Sequence, residues 1–418
     1  MVFPREGARL RSGGIRCVDS LSRYWRAQRS SLGACGDNRS AQSFAQLLFE
    51  SKSRASLRCR LRPSWLEAEG HAAVCIKSTL AHAEFRSAQQ LLYEHSPRDS
   101  RRKDSAEMSD QSSQRVAVLL STYNGEAFLA EQLDSLLEQT HQNFIIVVRD
   151  DGSSDGTLLL LQKYAEASPE KFHIVEEEPV NYGPSGSFSV LCEYTLANKS
   201  ALGLDNILAC FCDQDDVWLN NKLALQIEKY CQVQDGKDKP ILIHCDLEVV
   251  DQNLQRVAES LISYQGLEIE RNQFPQVAVS NLVTGCTALF NEALMRAALP
   301  VPKKAMMHDW WFAMTATAFG ELVFMPAPLV RYRQHSRNTI GAKQREDSEH
   351  WRRSLLSRVF ALEHNEHLVD VARQAKEFSR HFGGKLPLKY RLALLLGRRM
   401  RTRSATMQRV YYRLLRKF

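Results

Sequence analysis

No apolar run in the 418 residues approaches the ~18–20 needed to cross a bilayer as a helix; the best candidate, LALLLG at 392–397, is far too short. The opening MVFPREGARLRSGG lacks the apolar centre of a secretory signal, so none is expected. The 10 cysteines include no C-x-x-C pair, which argues against a zinc ribbon. They are expected to be free, mostly buried thiols in a reducing compartment. Nor is there basic charge where nucleic acid would need it. The net charge is +7, but residues 1–107 hold 16 Arg and 3 Lys against 11 acids, a net of +8, so residues 108–418 are close to neutral. The main domain is therefore expected not to bind nucleic acid.

What is present divides the chain into three. Residues 1–107 mix Arg, Ser and Ala without sustained alternation and end in a polar stretch, SPRDSRRKDSAEMSDQSSQ. They are expected to be a disordered extension or not to belong to the working protein, with Met108 as the start. Residues 108–345 form the working domain, with a nucleotide-binding half at 115–215 and an acceptor and catalytic half at 216–345. Residues 346–418 form a helical, basic C-terminal region. From 385 to 418 there are 11 Lys or Arg and no acid, interleaved with Leu, Val and Tyr. That pattern suits amphipathic helices at an anionic membrane surface, with helices packed on the domain as the plainer alternative.

Periodicity begins at Arg115. RVAVLLSTY, NFIIVVRDD, FHIVEE, NILACFCD and PILIHCDLEVV read as buried strands. Between them FLAEQLDSLLEQ, TLLLLQKYAEA, SFSVLCEYTLA and WLNNKLALQIEKYC carry helical spacing. This βαβα order predicts an α/β fold, a mostly parallel sheet with helices on both faces. In such sheets ligands bind beyond the carboxyl ends of the strands. Three polar clusters stand there: STYNG after the first strand, RDDGSSDGT after the second, DQDD after the fourth. One could be a chance helix cap; three along one edge suggest a shared ligand.

DQDD is the most demanding of them, because an unpartnered buried carboxylate costs several kcal/mol. Asp213 and Asp215, two apart in an extended segment, would face the same way and suit Mg²⁺ or Mn²⁺, which complete their shell with water and phosphate. Asp216 is expected to cap the next helix, beginning near Trp218. An EF-hand is excluded, since its glycine and final glutamate are missing.

Together LSTYNG, RDDGSSDGT and DQDDVW resemble the family 2 glycosyltransferases of GT-A fold, over about residues 115–340. NLVTGCTALFN, MHDWW and YRQHSRN are similar to the bacterial rhamnosyltransferase-like branch, which builds O-antigens and other surface polysaccharides. The resemblance implies that Ser121, Thr122, Tyr123, Asp150, Asp151 and Asp213 bind the nucleotide, with Asp151 on the base. It implies that Asp213 and Asp215 hold the metal, with His335 as a further candidate ligand, and that Asp309 is the catalytic base. His308 stands where the family usually has an acid. Gly285, Thr287, His308, Trp310 and Trp311 are candidates for the acceptor side. One tryptophan is expected on the acceptor sugar and the other in the core; Arg331 and Arg333 either bracket the diphosphate or are solvated. Asn181 and Gly183 lie in a loop expected to cover the donor.

The implied reaction is inverting transfer of a sugar, with L-rhamnose from dTDP-rhamnose as one candidate and a dTDP- or UDP-sugar as the donor class. The acceptor is a saccharide, expected to be polyprenyl-linked, at the inner face of the cytoplasmic membrane. Two alternatives are weaker. A nucleotidyltransferase acting on sugar phosphates would show a Gly-rich basic loop after the first strand, and STYNGEAF has one Gly and no Lys or Arg. A carbohydrate-binding protein without catalysis would need neither the paired aspartates nor the late one. A processive synthase would show membrane spans and Q-x-x-R-W, which are missing.

Overall fold

The computed structural model describes residues 114–176, 180–236, 238–336 and 365–418. The expectations for residues 1–107, and the boundary drawn at 345, lie outside these described residues.

Alternation in the first strand sets up the domain. In β1 (Val116–Thr122), Val116, Val118 and Leu120 face one layer of the core and Ala117 and Leu119 the other. All five are fully buried, as a strand covered on both faces must be. The chain continues through α1 (Leu129–Leu137), β2 (Phe144–Asp150), α2 (Thr157–Ala167), β3 (Phe172–Ile174), α3 (Gly183–Ala197) and β4 (Leu208–Cys212). β3, β2, β1 and β4 are parallel neighbours in that order. Leu129, Leu133 and Leu136 give α1 its buried stripe, which closes one layer. Phe188 and Leu191 of α3 close the other.

Beyond β4 the pattern changes. β5 (Val217–Trp218) is followed by α4 (Lys222–Val233), β6 (Ile241–Asp251) and β7 (Arg256–Ala258). After α5 (Leu261–Gln265) and α6 (Phe274–Val277), a 3-10 turn at Gly285–Thr287 leads into β8 (Ala288–Asn291). β8 inserts antiparallel between β4 and β6. α7 (Glu292–Ala298), α8 (His308–Phe319) and β9 (Glu321–Gln334) follow, and β9 pairs parallel with β6 and antiparallel with β5. The sheet has nine strands, with β5, β7 and β8 running against the others. Asp216 does not cap a helix. Val217 and Trp218 are drawn into β5, and α4 begins four residues later behind Asn221.

The C-terminal region is not an appendage. α9 (Glu366–Phe382), α10 (Leu388–Arg398) and α11 (Ala405–Lys417) contribute Val371, Phe378, Leu394 and Leu415 to the same core as Trp311 and Phe274. A second set of apolar residues faces outward: Leu388, Leu392 and Leu395 on α10, and Met407, Val410 and Leu414 on α11. Their spacing of three and four residues makes one stripe on each helix. The helices therefore pack on the domain through one face and expose an apolar stripe on another.

Leu394→Ala is expected to destabilise the protein by roughly 2–5 kcal/mol, as cavity-creating changes at fully buried leucines do. Urea unfolding of the full chain checks this; a shift below 1 kcal/mol would mean that α10 is not part of the core.

Candidate active site

The carboxyl ends of β1, β2 and β4 lie side by side, Thr122 opposite Asp150 and Leu120 opposite Cys212. The three polar clusters are knitted together there. Asp150 accepts from the Thr122 hydroxyl at 2.8 Å and from the Ser153 amide at 2.7 Å, which holds the turn after β2 against the end of β1. Asn124, in the left-handed region at φ 48°, takes the Ser154 amide on its side chain at 2.8 Å. Gln214 exchanges two hydrogen bonds with the Tyr123 backbone, at 2.8 and 2.9 Å. A Cβ at Gly125 would lie 2.2 Å from the Gln214 Oε1, so a larger residue there would displace that side chain from Tyr123.

Asp151 is buried but well supplied with donors. The Tyr182 and Gly183 amides, at the start of α3, each reach its carboxylate at 2.8 Å. The Arg149 guanidinium completes the set and also donates to Ser187 and to the Val180 carbonyl. Ser187 in turn accepts from Ser121 at 2.7 Å. Arg149 escaped the sequence reading, although an arginine beside Asp150 at the end of the apolar run FIIVV was a signal. It points into the α3 layer and holds Asp151 in place.

Asp213, Gln214 and Asp215 face a cavity of about 1460 Å³ that is also lined by Ser121, Thr122, Tyr123 and Asp151. Burial first, then the neighbouring carboxylates of Asp215 and Asp309, push Asp213 up to about 7. His335, at the end of β9, approaches Asp215 through Nε2 at 2.9 Å, its ring packed on Phe128. Asp216 is turned inward, where its carboxylate, that of Asp213 and the Cys286 thiol gather within 4.8 Å. Burial and Asp215 raise Asp216 well above the carboxylate range. This crowding of like charge is of the kind a hard divalent cation relieves; among the described residues the donor atoms that lie within 4.8 Å of one another are those of Asp213, Asp216 and Cys286, whereas His335 is bonded to Asp215.

Across the cavity stands Asp309, in the first turn of α8 and 8% exposed. It accepts from its neighbour Trp310's amide, from the Gly285 amide and from Asn281 Nδ2 at 3.3 Å. Burial outweighs these bonds and lifts its carboxyl to about 7. His308 lies flat on Phe188 at 4.2 Å between ring centroids and edge-on to Phe211. Burial pushes it down to about 3, so it is neutral. Gly285 makes room for that ring: a Cβ there would come 3.0 Å from His308 Nε2.

Not every candidate faces the cavity. Asp150 is spent on the turn. Thr287 is buried, its hydroxyl on the Thr284 carbonyl and its own carbonyl accepting from Gln226. Trp310 lines the cavity, but Trp311, one residue or ~100° further round the helix, is sealed against Phe378 and Phe382. Arg333 is likewise buried, bonded to the Asp215 and Gln252 carbonyls and paired with Glu131, while Arg331 is half-exposed beside Glu248. Asn181 and Gly183 do line the cavity.

Residues 117–296 match the family described as Glycosyl transferase family 2. The chain carries a family 2 glycosyltransferase domain. Among relatives, the dTDP-rhamnosyl transferase RfbG of Shigella flexneri is 25% identical over 234 residues, 53% of this chain and 74% of that protein. The UDP-Glc:alpha-D-GlcNAc-diphosphoundecaprenol beta-1,3-glucosyltransferase WfgD of Escherichia coli is 30% identical over 112 residues, 27% of this chain. The chain spans only 39% of the length of WfgD. The solved Staphylococcus aureus TarS in complex with UDP-GlcNAc aligns over 73% of this chain and 90% of its own, at 17% identity and a TM-score of 0.42. The mixed sheet with helices on both faces agrees with the α/β architecture expected from the sequence.

Arg149→Met would leave the Asp151 carboxylate buried without its guanidinium. Breaking one side of a buried pair costs about 3–5 kcal/mol. Chemical unfolding of the variant should show a loss of that size, and a change within 1 kcal/mol would mean the α3 amides alone satisfy Asp151.

Proposed function

We propose that this glycosyltransferase is inverting and metal-dependent, and that it moves a sugar from a nucleotide sugar to a hydroxyl of a lipid-linked saccharide in the synthesis of a bacterial surface polysaccharide. The observation that carries the reading is one cavity with two chemically distinct walls. The strand ends supply Asp151, Asp213 and Asp215; the facing helix supplies a single carboxyl at about 7.

The residues divide the work. Ser121, Thr122, Tyr123 and Asp151 surround the base and ribose of the donor. Asp213, Asp215 and His335 would hold the divalent ion, Mg²⁺ or Mn²⁺, which when bound offsets the charge on the departing diphosphate. Asp309 accepts the proton of the acceptor hydroxyl as that oxygen attacks the anomeric carbon. The bond to the diphosphate oxygen breaks on the opposite side, so the configuration inverts. A base near neutrality is matched to that step. His308, at about 3, is far the weaker base and is left to shape the cavity with Phe188. Trp310 offers an apolar face to the acceptor sugar.

The names of two relatives supply the donor and acceptor to test first. RfbG is a dTDP-rhamnosyl transferase by name, so dTDP-rhamnose is the first donor to test, with UDP-sugars beside it. The name of WfgD states a diphosphoundecaprenol acceptor, which agrees with the outward apolar stripes on α10 and α11 and the 11 basic residues around them. We place the protein at the inner face of the cytoplasmic membrane on those grounds. The nucleotidyltransferase reading has no support in the site, since no Lys or Arg stands among the cavity residues from β1, β2 or β4.

Asp309→Asn is expected to lower turnover by about 10²–10⁴-fold, the usual share of a positioned base. Donor affinity, by calorimetry with Mn²⁺, should stay within a few-fold. Because the working form is the carboxylate, wild-type turnover should fall as pH drops through about 7; Asp213 also lies near 7, so in the variant that limb should weaken rather than vanish. Retained turnover, or loss in His308→Ala instead, would move the base. Chelation should abolish transfer; full activity in EDTA would remove the metal.

Replacing Leu392, Leu395 and Leu414 by Ser should release the protein from anionic vesicles without lowering its melting temperature. All three are outward. Sedimentation with phosphatidylglycerol vesicles measures this, and unchanged binding at all salt concentrations would deny the membrane face. Truncating the region at 385 would be a poorer test, because it opens the core.

A further inference from the structure

Among the described residues, five hold a buried side-chain nitrogen or oxygen without a hydrogen-bond partner: Gln132, Asp216, Trp218, His244 and His308. His308 differs from the other four in two ways. It is the one that lines the cavity, and it is the one with two such atoms, Nδ1 and Nε2. A neutral imidazole carries one N–H donor and one acceptor nitrogen, and burial keeps this ring neutral. Burying both without partners costs free energy that a ligand hydroxyl would restore.

The surroundings of the ring place it on the donor side of the base. Its main-chain amide donates to Ser185 Oγ of α3 at 3.1 Å. The ring itself packs on Phe188 of α3 and on Phe211 of β4, two residues before Asp213. α3 and β4 are also the elements that supply Asp151 with amides and end in the Asp213 loop. Trp310, two residues and about 200° further round α8, faces the other way. It stacks on His367 of α9 and donates to the Val277 carbonyl. Asp309 stands between the two.

We infer that His308 binds a hydroxyl of the transferred sugar, the part of the donor lying between the diphosphate and the base, and so helps select which sugar is moved. The inference rests on the glycosyltransferase reading and deepens it, assigning His308 to the donor sugar rather than to the acceptor. Neither nitrogen is open to solvent, so what the residue shows to the cavity is not nitrogen. A half-turn about χ2 keeps the ring plane, and with it the contacts to Phe188 and Phe211, while exchanging each nitrogen for a ring carbon. In the bound state such a turn presents one nitrogen to the sugar. A site that hydrogen-bonds a hydroxyl in this way rejects the analogue lacking it.

The test measures binding by calorimetry on the full chain with Mn²⁺ and no acceptor, so that an effect can only come from the donor. dTDP-rhamnose is compared with dTDP, and UDP-glucose and UDP-GlcNAc with UDP; the nucleotide sugar that binds tightest is carried forward. His308→Phe keeps the ring stack and removes both nitrogens. It should weaken that nucleotide sugar about tenfold and leave the corresponding nucleotide unchanged. His308→Gln, which keeps a donor and an acceptor, should recover part of the loss. The melting temperature of ligand-free His308→Phe should not fall, since the nitrogens it lacks have no partner to lose. If that variant misfolds, the His308 ring-nitrogen chemical shifts of wild type decide: they should move with the nucleotide sugar and stay with the nucleotide alone. A Phe variant that binds the nucleotide sugar as wild type does, equal losses for nucleotide and nucleotide sugar, or unmoved shifts would overturn the inference. Failure of both dTDP and UDP to bind wild type would instead reject the donor reading on which it rests.

Discussion

Negative charge gathered at the ends of buried strands is the constraint on which this structure turns. Five aspartates at the ends of β2 and β4 lie where water is scarce, and they are managed in different ways. Asp150 is spent on hydroxyls and an amide. Asp151 is matched by Arg149 and by two amides at the start of α3. Asp216 is pushed well above the carboxylate range. Asp213 and Asp215 are left facing the cavity. The first three are satisfied or neutralised internally, whereas Asp213 and Asp215 stay at the cavity wall, the latter beside His335, a division that burial alone does not reveal.

The surrounding architecture serves that separation. β9 runs the length of β6 and delivers His335 to Asp215, while Arg333, two residues earlier, takes the Asp215 carbonyl and the last exposed turn after β6. β8, inserted between β4 and β6, is approached through the turn at Gly285, whose amide serves Asp309 and whose missing side chain admits His308. One short antiparallel strand thus links the loop of Asp213 and Asp215 to Asp309.

Much of this was legible in the sequence because it was periodic or repeated. The five buried strands and their intervening helices followed from alternation and helical spacing, and the three polar clusters declared one functional edge. What was not legible depended on contacts between distant segments. Gln214 looked like a spacer between two aspartates, yet it ties Tyr123 in place from 91 residues away. Asn281 opens the motif NLVTGCTALFN, but only the fold brings it to Asp309. Trp310 and Trp311 could be told apart only once α8 had a direction. Asp216 was misread because a two-residue strand has no periodicity to recognise.

α11 divides its circumference three ways: Gln408 and Leu415 toward the core, Arg409, Tyr412 and Arg413 toward the cavity, and Met407, Val410 and Leu414 outward. An α-helix turns ~100° per residue. A single residue added or lost between Met400, anchored in the core, and the Ser404 cap of α11 would therefore exchange the three faces, setting arginines against the core and leucines in the cavity. The length of this short connection is thus held by the helix's rotational register, however freely its residues vary in kind.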